Sequence, residues 1–158
     1  MMAAGSVSQS YTPTVTAGAY AQNAVVGGLK TLKIFNSSAQ PSGVFDYFMV
    51  TSKGGLTTAM TVYVFDQLPS ASTFTDNQAL VLNSADIAKL AMQPFVVTPA
   101  VSGSGTTATT AQLAQITSLQ NHDSPITQNL YIALVANGAM TPGSTTDLVI
   151  KMGMVCDD

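Results

Sequence analysis

From Leu29 onward the apolar residues tend to recur at every second position, the spacing that places side chains on alternate faces of a half-buried β-strand. Residues 29–35 alternate, with Leu32 and Ile34 separated by Lys33, and the pattern stops in 36–43, a segment dense in Asn, Ser, Pro and Gly. Residues 44–50 and 60–65 are aromatic and β-branched runs, and the segment between them opens with Ser52-Lys-Gly-Gly55, which reads as a hairpin connection. In the second run Met60, Val62 and Val64 share one face while Thr61, Tyr63 and Phe65 share the other. Both faces are apolar enough to predict a central strand with cover on each side.

Residues 68–83 carry no periodicity. In 84–91 a serine that could cap a helix, an Asp in the first turn and Ile87 and Leu90 at helical spacing predict a helix of one or two turns. Pro94 follows, and 95–101 resumes as strand with Pro99 marking an edge or an end. Residues 113–119 fit either period and are read as strand because of the flanking Thr and Asn. The clearest strands are 130–136, with Leu130, Ile132 and Leu134 on one face, and 148–155, with Leu148, Ile150, Met152 and Met154 on one face. Residues 137–144 form the turn between them. Seven or eight short strands with one helical turn predict an all-β, antiparallel, jelly-roll-like sandwich spanning 25–158. Residues 1–24 are small, polar and without a recognised period, and are expected to form an extended N-terminal arm. Nothing in such a segment offsets the ordering entropy of roughly 1–2 kcal/mol per residue, so its order would have to come from neighbours.

Composition narrows the function. The 158 residues include no Arg, no Glu and no Trp, but 20 Thr and 15 Ser. The polar surface is therefore built from hydroxyls and amides. Only 8% of residues are charged, against roughly 25% in ordinary globular proteins, and 46% are hydrophobic. A surface so poor in charge favours association over a free monomer. The net charge of −3 offers no basic patch for phosphates, which argues against nucleic-acid binding. Residues 1–10 show neither the basic stretch nor the apolar run of a signal peptide, and no apolar run approaches the ~20 residues of a spanning helix, so no membrane partner is expected. A single Cys156 excludes an internal disulfide.

Candidate chemistry is sparse. His122-Asp123-Ser124 sets three triad residue types side by side, but a triad needs side chains converging from separated segments, so a polar loop before Pro125 is the better reading. One His and one Cys cannot make a zinc site. An oxygen-ligand calcium site drawing on Asp66, Asp76 or Asp86 lacks any loop spacing to support it, and turn-capping carboxylates are expected instead. Gly54-Gly55 and the glycines of 102–105 are not followed by a phosphate-binding helix and serve turns. Met152 and Met154 are read as core, and Lys30 and Lys33 as solvated side chains. Sugar recognition would rest on an aromatic such as Tyr11 or Tyr20, both in the arm. No catalytic, cofactor or metal residue is assigned, and the chain is expected not to be an enzyme.

Two stretches carry a resemblance. Thr61-Val-Tyr-Val-Phe-Asp66, with the Ser- and Thr-rich segment after Pro69 and the segment 83–90, resembles small structural proteins of tailed bacteriophages. The ending Asn129-Leu-Tyr-Ile-Ala-Leu-Val-Ala136, then Thr141-Pro142, Ser144-Thr-Thr-Asp-Leu148 and a final alternating strand is similar to the ending of that family. The resemblance covers roughly residues 25–158 and departs from the family in having no Arg in the last strand. It implies a virion component at the capsid surface, assembled in the host cytoplasm, that decorates or cements the shell. Its partners would be the major capsid protein and further copies of itself, as a trimer. The arm would dock the particle through its large side chains, Tyr11, Val15 and Tyr20. The alternative implied role is a receptor- or glycan-binding module of a head fibre or tail appendage.

Overall fold

A computed structural model describes residues 5–33, 43–101 and 129–156. It contains eight strands, β1 (Gly5–Tyr11), β2 (Val25–Lys33), β3 (Gly43–Ser52), β4 (Met60–Phe65), β5 (Phe95–Val97), β6 (Ala100–Val101), β7 (Asn129–Ala136) and β8 (Leu148–Cys156), with one helical turn, α1 (Ser84–Ile87). The strands form two four-stranded sheets in the orders β1-β8-β3-β6 and β2-β7-β4-β5. Chain neighbours β1 and β2, β3 and β4, β5 and β6, and β7 and β8 each lie in opposite sheets, which is the strand order of a jelly roll. The pairings are antiparallel except at one edge, where β6 runs parallel to the end of β3 over Thr51↔Ala100 and Ser52↔Val101.

The alternation read from the sequence holds where it was clearest. Met60, Val62 and Val64 of β4, Leu130, Ile132 and Leu134 of β7, and Leu148, Ile150 and Met152 of β8 all enter the cluster between the sheets. Phe48 and Val50 of β3 meet them from the other sheet, and Phe48 contacts Phe95 edge to face at 5.5 Å. Three expectations need correction. The connection after Ser52 is not a hairpin, because β3 and β4 belong to different sheets and the chain crosses between them. The strand expected over 95–101 breaks at Thr98-Pro99, where Pro cannot donate to a ladder, and its halves join opposite sheets. The helix is a single turn capped by Asn83 instead of Ser84, with the Asn83 side chain accepting from the Ala85 N–H at 2.9 Å. Residues 113–119 and His122 lie outside the described residues.

The second sheet is covered on its outer face as well. Val25, Phe65, Ala133 and Val135 are buried yet stand outside the intersheet cluster. Their cover is the β4–β5 connection, residues 66–94. Phe74 packs on Phe65 with ring centroids 5.7 Å apart, the Asn77 N–H donates to the Val25 carbonyl, and the Ala91 N–H donates to the Val64 carbonyl. The connection is thus tied to both β2 and β4, the two neighbours of β7. This accounts for the two apolar faces of β4.

The segment 1–24 is not an arm standing apart from the sandwich over its described part. β1 pairs with β8 over seven residue positions, from Gly5↔Cys156 to Tyr11↔Ile150. Val15 donates its N–H to the Thr145 carbonyl, and Tyr20 bridges to Met140. The physical reason is visible in 8–11: Ser8 and Ser10 are exposed while Gln9 and Tyr11 are partly buried, a period-two pattern made of hydroxyl residues instead of charges.

Candidate functional site

Tyr11, Val15 and Tyr20 were the residues expected to anchor a partner. Val15 and Tyr20 are 2% and 1% exposed and belong to the chain's own core, so neither side chain is presented to a second molecule. Tyr11 packs against that core at the end of β1, with its ring 5.4 Å below the Lys30 ammonium, a cation–π contact. Its hydroxyl is buried without a hydrogen-bond partner, and burial pushes its pKa well above the ordinary phenol value. Beside it lies a crevice of about 210 Å³ whose walls include Pro13, Thr14, Gly27, Gly28 and Lys30.

Three carboxylates, Asp76, Asp86 and Asp147, organise the loops, and the first two are among those expected to cap turns. Asp76 is the first. Its Oδ1 accepts from the Tyr20 hydroxyl at 2.7 Å and the Gly27 N–H at 2.6 Å, and its Oδ2 accepts from the Thr16 N–H at 2.9 Å and the Thr16 hydroxyl at 2.7 Å. One side chain therefore joins the 12–20 segment, the bulge of β2 and the β4–β5 connection. Gly27 must be glycine there: its φ is +75°, and a Cβ would stand 2.5 Å from Cβ of Pro13. Burial pushes the Asp76 carboxyl up, but the donors from Gly27, Thr16 and Tyr20 outweigh it and hold the pKa below the usual value. The same arrangement pushes the Tyr20 phenol up to about 12, chiefly through burial and then through its bond to Asp76.

Asp147 does the equivalent work at the sheet crossings. Its Oδ1 accepts from the Ser52 hydroxyl at 2.8 Å and the Gly54 N–H at 2.6 Å, and its Oδ2 accepts from the Gly143 N–H at 2.8 Å. The Ser52 hydroxyl in turn accepts from the Leu56 N–H at 2.9 Å, so the β3–β4 and β7–β8 crossings share one buried centre. Burial raises the Asp147 carboxyl, and these donors, with Lys53 N–H, bring it below the ordinary range. Asp86 holds the β4–β5 connection to itself. Its Oδ2 accepts from the Ala71 N–H and the Ser72 hydroxyl, and its Oδ1 faces the Lys89 ammonium at 2.9 Å. Burial opposes the charge and the Lys89, Ser72 and Ala71 donors restore it, leaving the pKa lowered.

Each of these carboxylates already meets several N–H, O–H or ammonium donors, so its chemistry is to hold backbone in place. Of the three residues weighed for calcium, Asp76 and Asp86 are occupied in this way. Among the described residues no three of His, Cys, Asp and Glu converge as metal ligands. The sequence reading missed Asp147 altogether, although Asp after Gly-Ser-Thr-Thr in a turn is the pattern that satisfies loop N–H groups.

Among the described residues the exposed large apolar side chains are elsewhere. Leu68, Val81 and Ile87 of the β4–β5 connection and Val96 of the edge strand β5 are 51%, 66%, 51% and 48% exposed. All four belong to the side of the molecule built on the second sheet. No protein-family model matches the chain, and no curated protein matches it either.

Proposed function

We propose that this chain is a noncatalytic structural protein of a tailed-phage virion, which decorates or cements the capsid by associating with copies of itself and with the major capsid protein. The observation that carries the reading is the exposure of Leu68, Val81, Ile87 and Val96 on a chain with 8% charged residues. Large apolar side chains exposed on a surface poor in charge are suited to protein contact and solubilise a monomer poorly. A jelly roll also resists edge pairing on its own while presenting broad faces to a lattice, and small contacts repeated by symmetry add up without strong individual ion pairs. The contact surface in this reading is the β4–β5 connection and β5, in place of the 1–24 segment, whose Val15 and Tyr20 are committed to the core.

The test is association itself. Sedimentation of the purified chain should show a homo-oligomer, with a trimer as the expected state, and the chain should co-sediment with capsid particles. The double substitution Val81→Lys with Ile87→Lys should lower both without moving the melting temperature, because neither side chain is buried. A chain that stays monomeric at high concentration and leaves capsids bare would overturn the proposal.

A further inference from the structure

The outer face of the first sheet is built differently from that of the second. Its cross-strand rows follow from the register: Ser8, Gly153 and Tyr47 stand side by side across β1, β8 and β3, and Ser10, Lys151 and Met49 form the next row. Gln9, Met152 and Phe48 lie between these rows, and Met152 and Phe48 turn into the core, so the two rows point outward.

Tyr47 lies across the sheet on top of Gly153. A Cβ at Gly153 would collide with Cδ1 and Cε1 of the ring, so the glycine makes room for an aromatic plate. The plate reaches over β8 to β1, where the Tyr47 hydroxyl meets the Ser8 hydroxyl at 2.9 Å. The ring is thus held flat by a hydrogen bond at its far end and keeps part of its surface open. Around it stand the exposed hydroxyls of Ser8 and Ser10 and the exposed ammonium of Lys151. Lys151 and Gly153 are two residues apart on β8 and on the same face, so their Cα atoms stand roughly 6.7 Å apart along the strand.

We propose that this face is a saccharide site for acidic sugars: a pyranose ring stacks on Tyr47, its hydroxyls bond to Ser8 and Ser10, and its carboxylate meets Lys151. A flat aromatic face flanked by uncharged hydroxyls suits the apolar face and the hydroxyl rim of a sugar ring. Among the described residues Lys151 is the cation beside the plate, and it selects an acidic sugar by charge complementarity. The site is on the sheet opposite Val81 and Ile87, so it stands or falls independently of capsid association.

The assay is an NMR or calorimetric titration of the full chain with a hexuronic acid oligosaccharide and, in parallel, a neutral glucose oligosaccharide of equal length. The acidic ligand should bind more tightly. Tyr47→Leu, which still covers Gly153, should lower affinity by up to about tenfold, as loss of an aromatic contact predicts, while Tyr47→Phe keeps the plate and most of the affinity. Lys151→Glu, a change at an exposed side chain that leaves the core untouched, should abolish binding of the acidic ligand alone. The proposal is overturned if neither saccharide perturbs the protein, if both bind equally, or if Lys151→Glu binds the acidic ligand as the wild type does.

Discussion

Replacing Asp147 with alanine withdraws a buried carboxylate from the centre shared by two sheet crossings. Ser52 and Asp147 are 0% and 1% exposed, and three donors lose their acceptor at once: the Ser52 hydroxyl, the Gly54 N–H and the Gly143 N–H. A hydrogen bond to a charged group contributes about 1.5–3 kcal/mol, and a buried donor left unpaired costs about 1–3 kcal/mol. The two glycine donors are only partly buried and recover some of their loss from water, so the sum is about 3–4 kcal/mol, a large share of the roughly 5–15 kcal/mol that holds a domain of this kind together. Urea denaturation measures it, as a fall in midpoint with the slope unchanged. Asp147→Asn should cost less, about 1–2 kcal/mol, because the amide oxygen can still serve Ser52 and Gly54 while the amide nitrogen faces the Gly143 N–H.

The pH dependence supplies a second reading of the same centre. The folded-state pKa of Asp147 is lowered, so its contribution is fully present above the unfolded carboxylate value of about 3.9 and is lost as pH falls through the lower folded value. Asp147→Asn should therefore flatten the loss of stability on acidification below about pH 4, though not remove it, since Asp76 and Asp86 are lowered in the same sense. A cost below about 1 kcal/mol for the alanine variant, or an acid profile of the asparagine variant that overlays the wild type, would refute the argument that this carboxylate closes the two crossings.

Other consequences are simpler. Gly27→Ala forces a side chain into a left-handed backbone against Pro13 and should cost about 1–3 kcal/mol in thermal or chemical denaturation. Tyr20→Phe removes the hydroxyl that donates to Asp76 and accepts from Thr16, and a loss of about 1–2 kcal/mol is expected without a change in fold by circular dichroism. Deleting residues 1–11 strips β1 from β8, exposing a new sheet edge, so the truncated chain should aggregate or unfold instead of remaining a trimmed but intact domain; a soluble, cooperatively melting product would show β1 to be dispensable.

The long alternating runs were legible because period two and half-burial coincide there. Met60, Val62 and Val64, or Leu148, Ile150 and Met152, announce both strand and buried face. β1 was not legible for the opposite reason: its polar positions are serines and one of its inward positions is Gln9, so the contrast between faces is too weak to separate it from a flexible segment. The placement of Val15 and Tyr20, two of the three expected anchors, turns on the same point. Large side chains in a small-residue segment are as well suited to plugging their own domain as to gripping another, and only the positions of β8, Met140 and Asp76 show that Val15 and Tyr20 do the former. The Tyr47 plate depends on register across three strands, which no stretch of 43–52 or 148–156 contains by itself.

Taken alone, the chain determined its class: alternation, turn residues and the want of charge require a β protein with a neutral, hydroxyl-rich surface, because these are properties of residues and their nearest neighbours. Which strands pair, which sheet each enters, that residues 66–94 roof the second sheet, and that Asp76, Asp86 and Asp147 close on loop donors were decided by the tertiary structure. Those outcomes depend on groups far apart in the chain meeting within hydrogen-bond distance, as Ser52 and Asp147 do across 95 residues, and local sequence carries no record of such meetings.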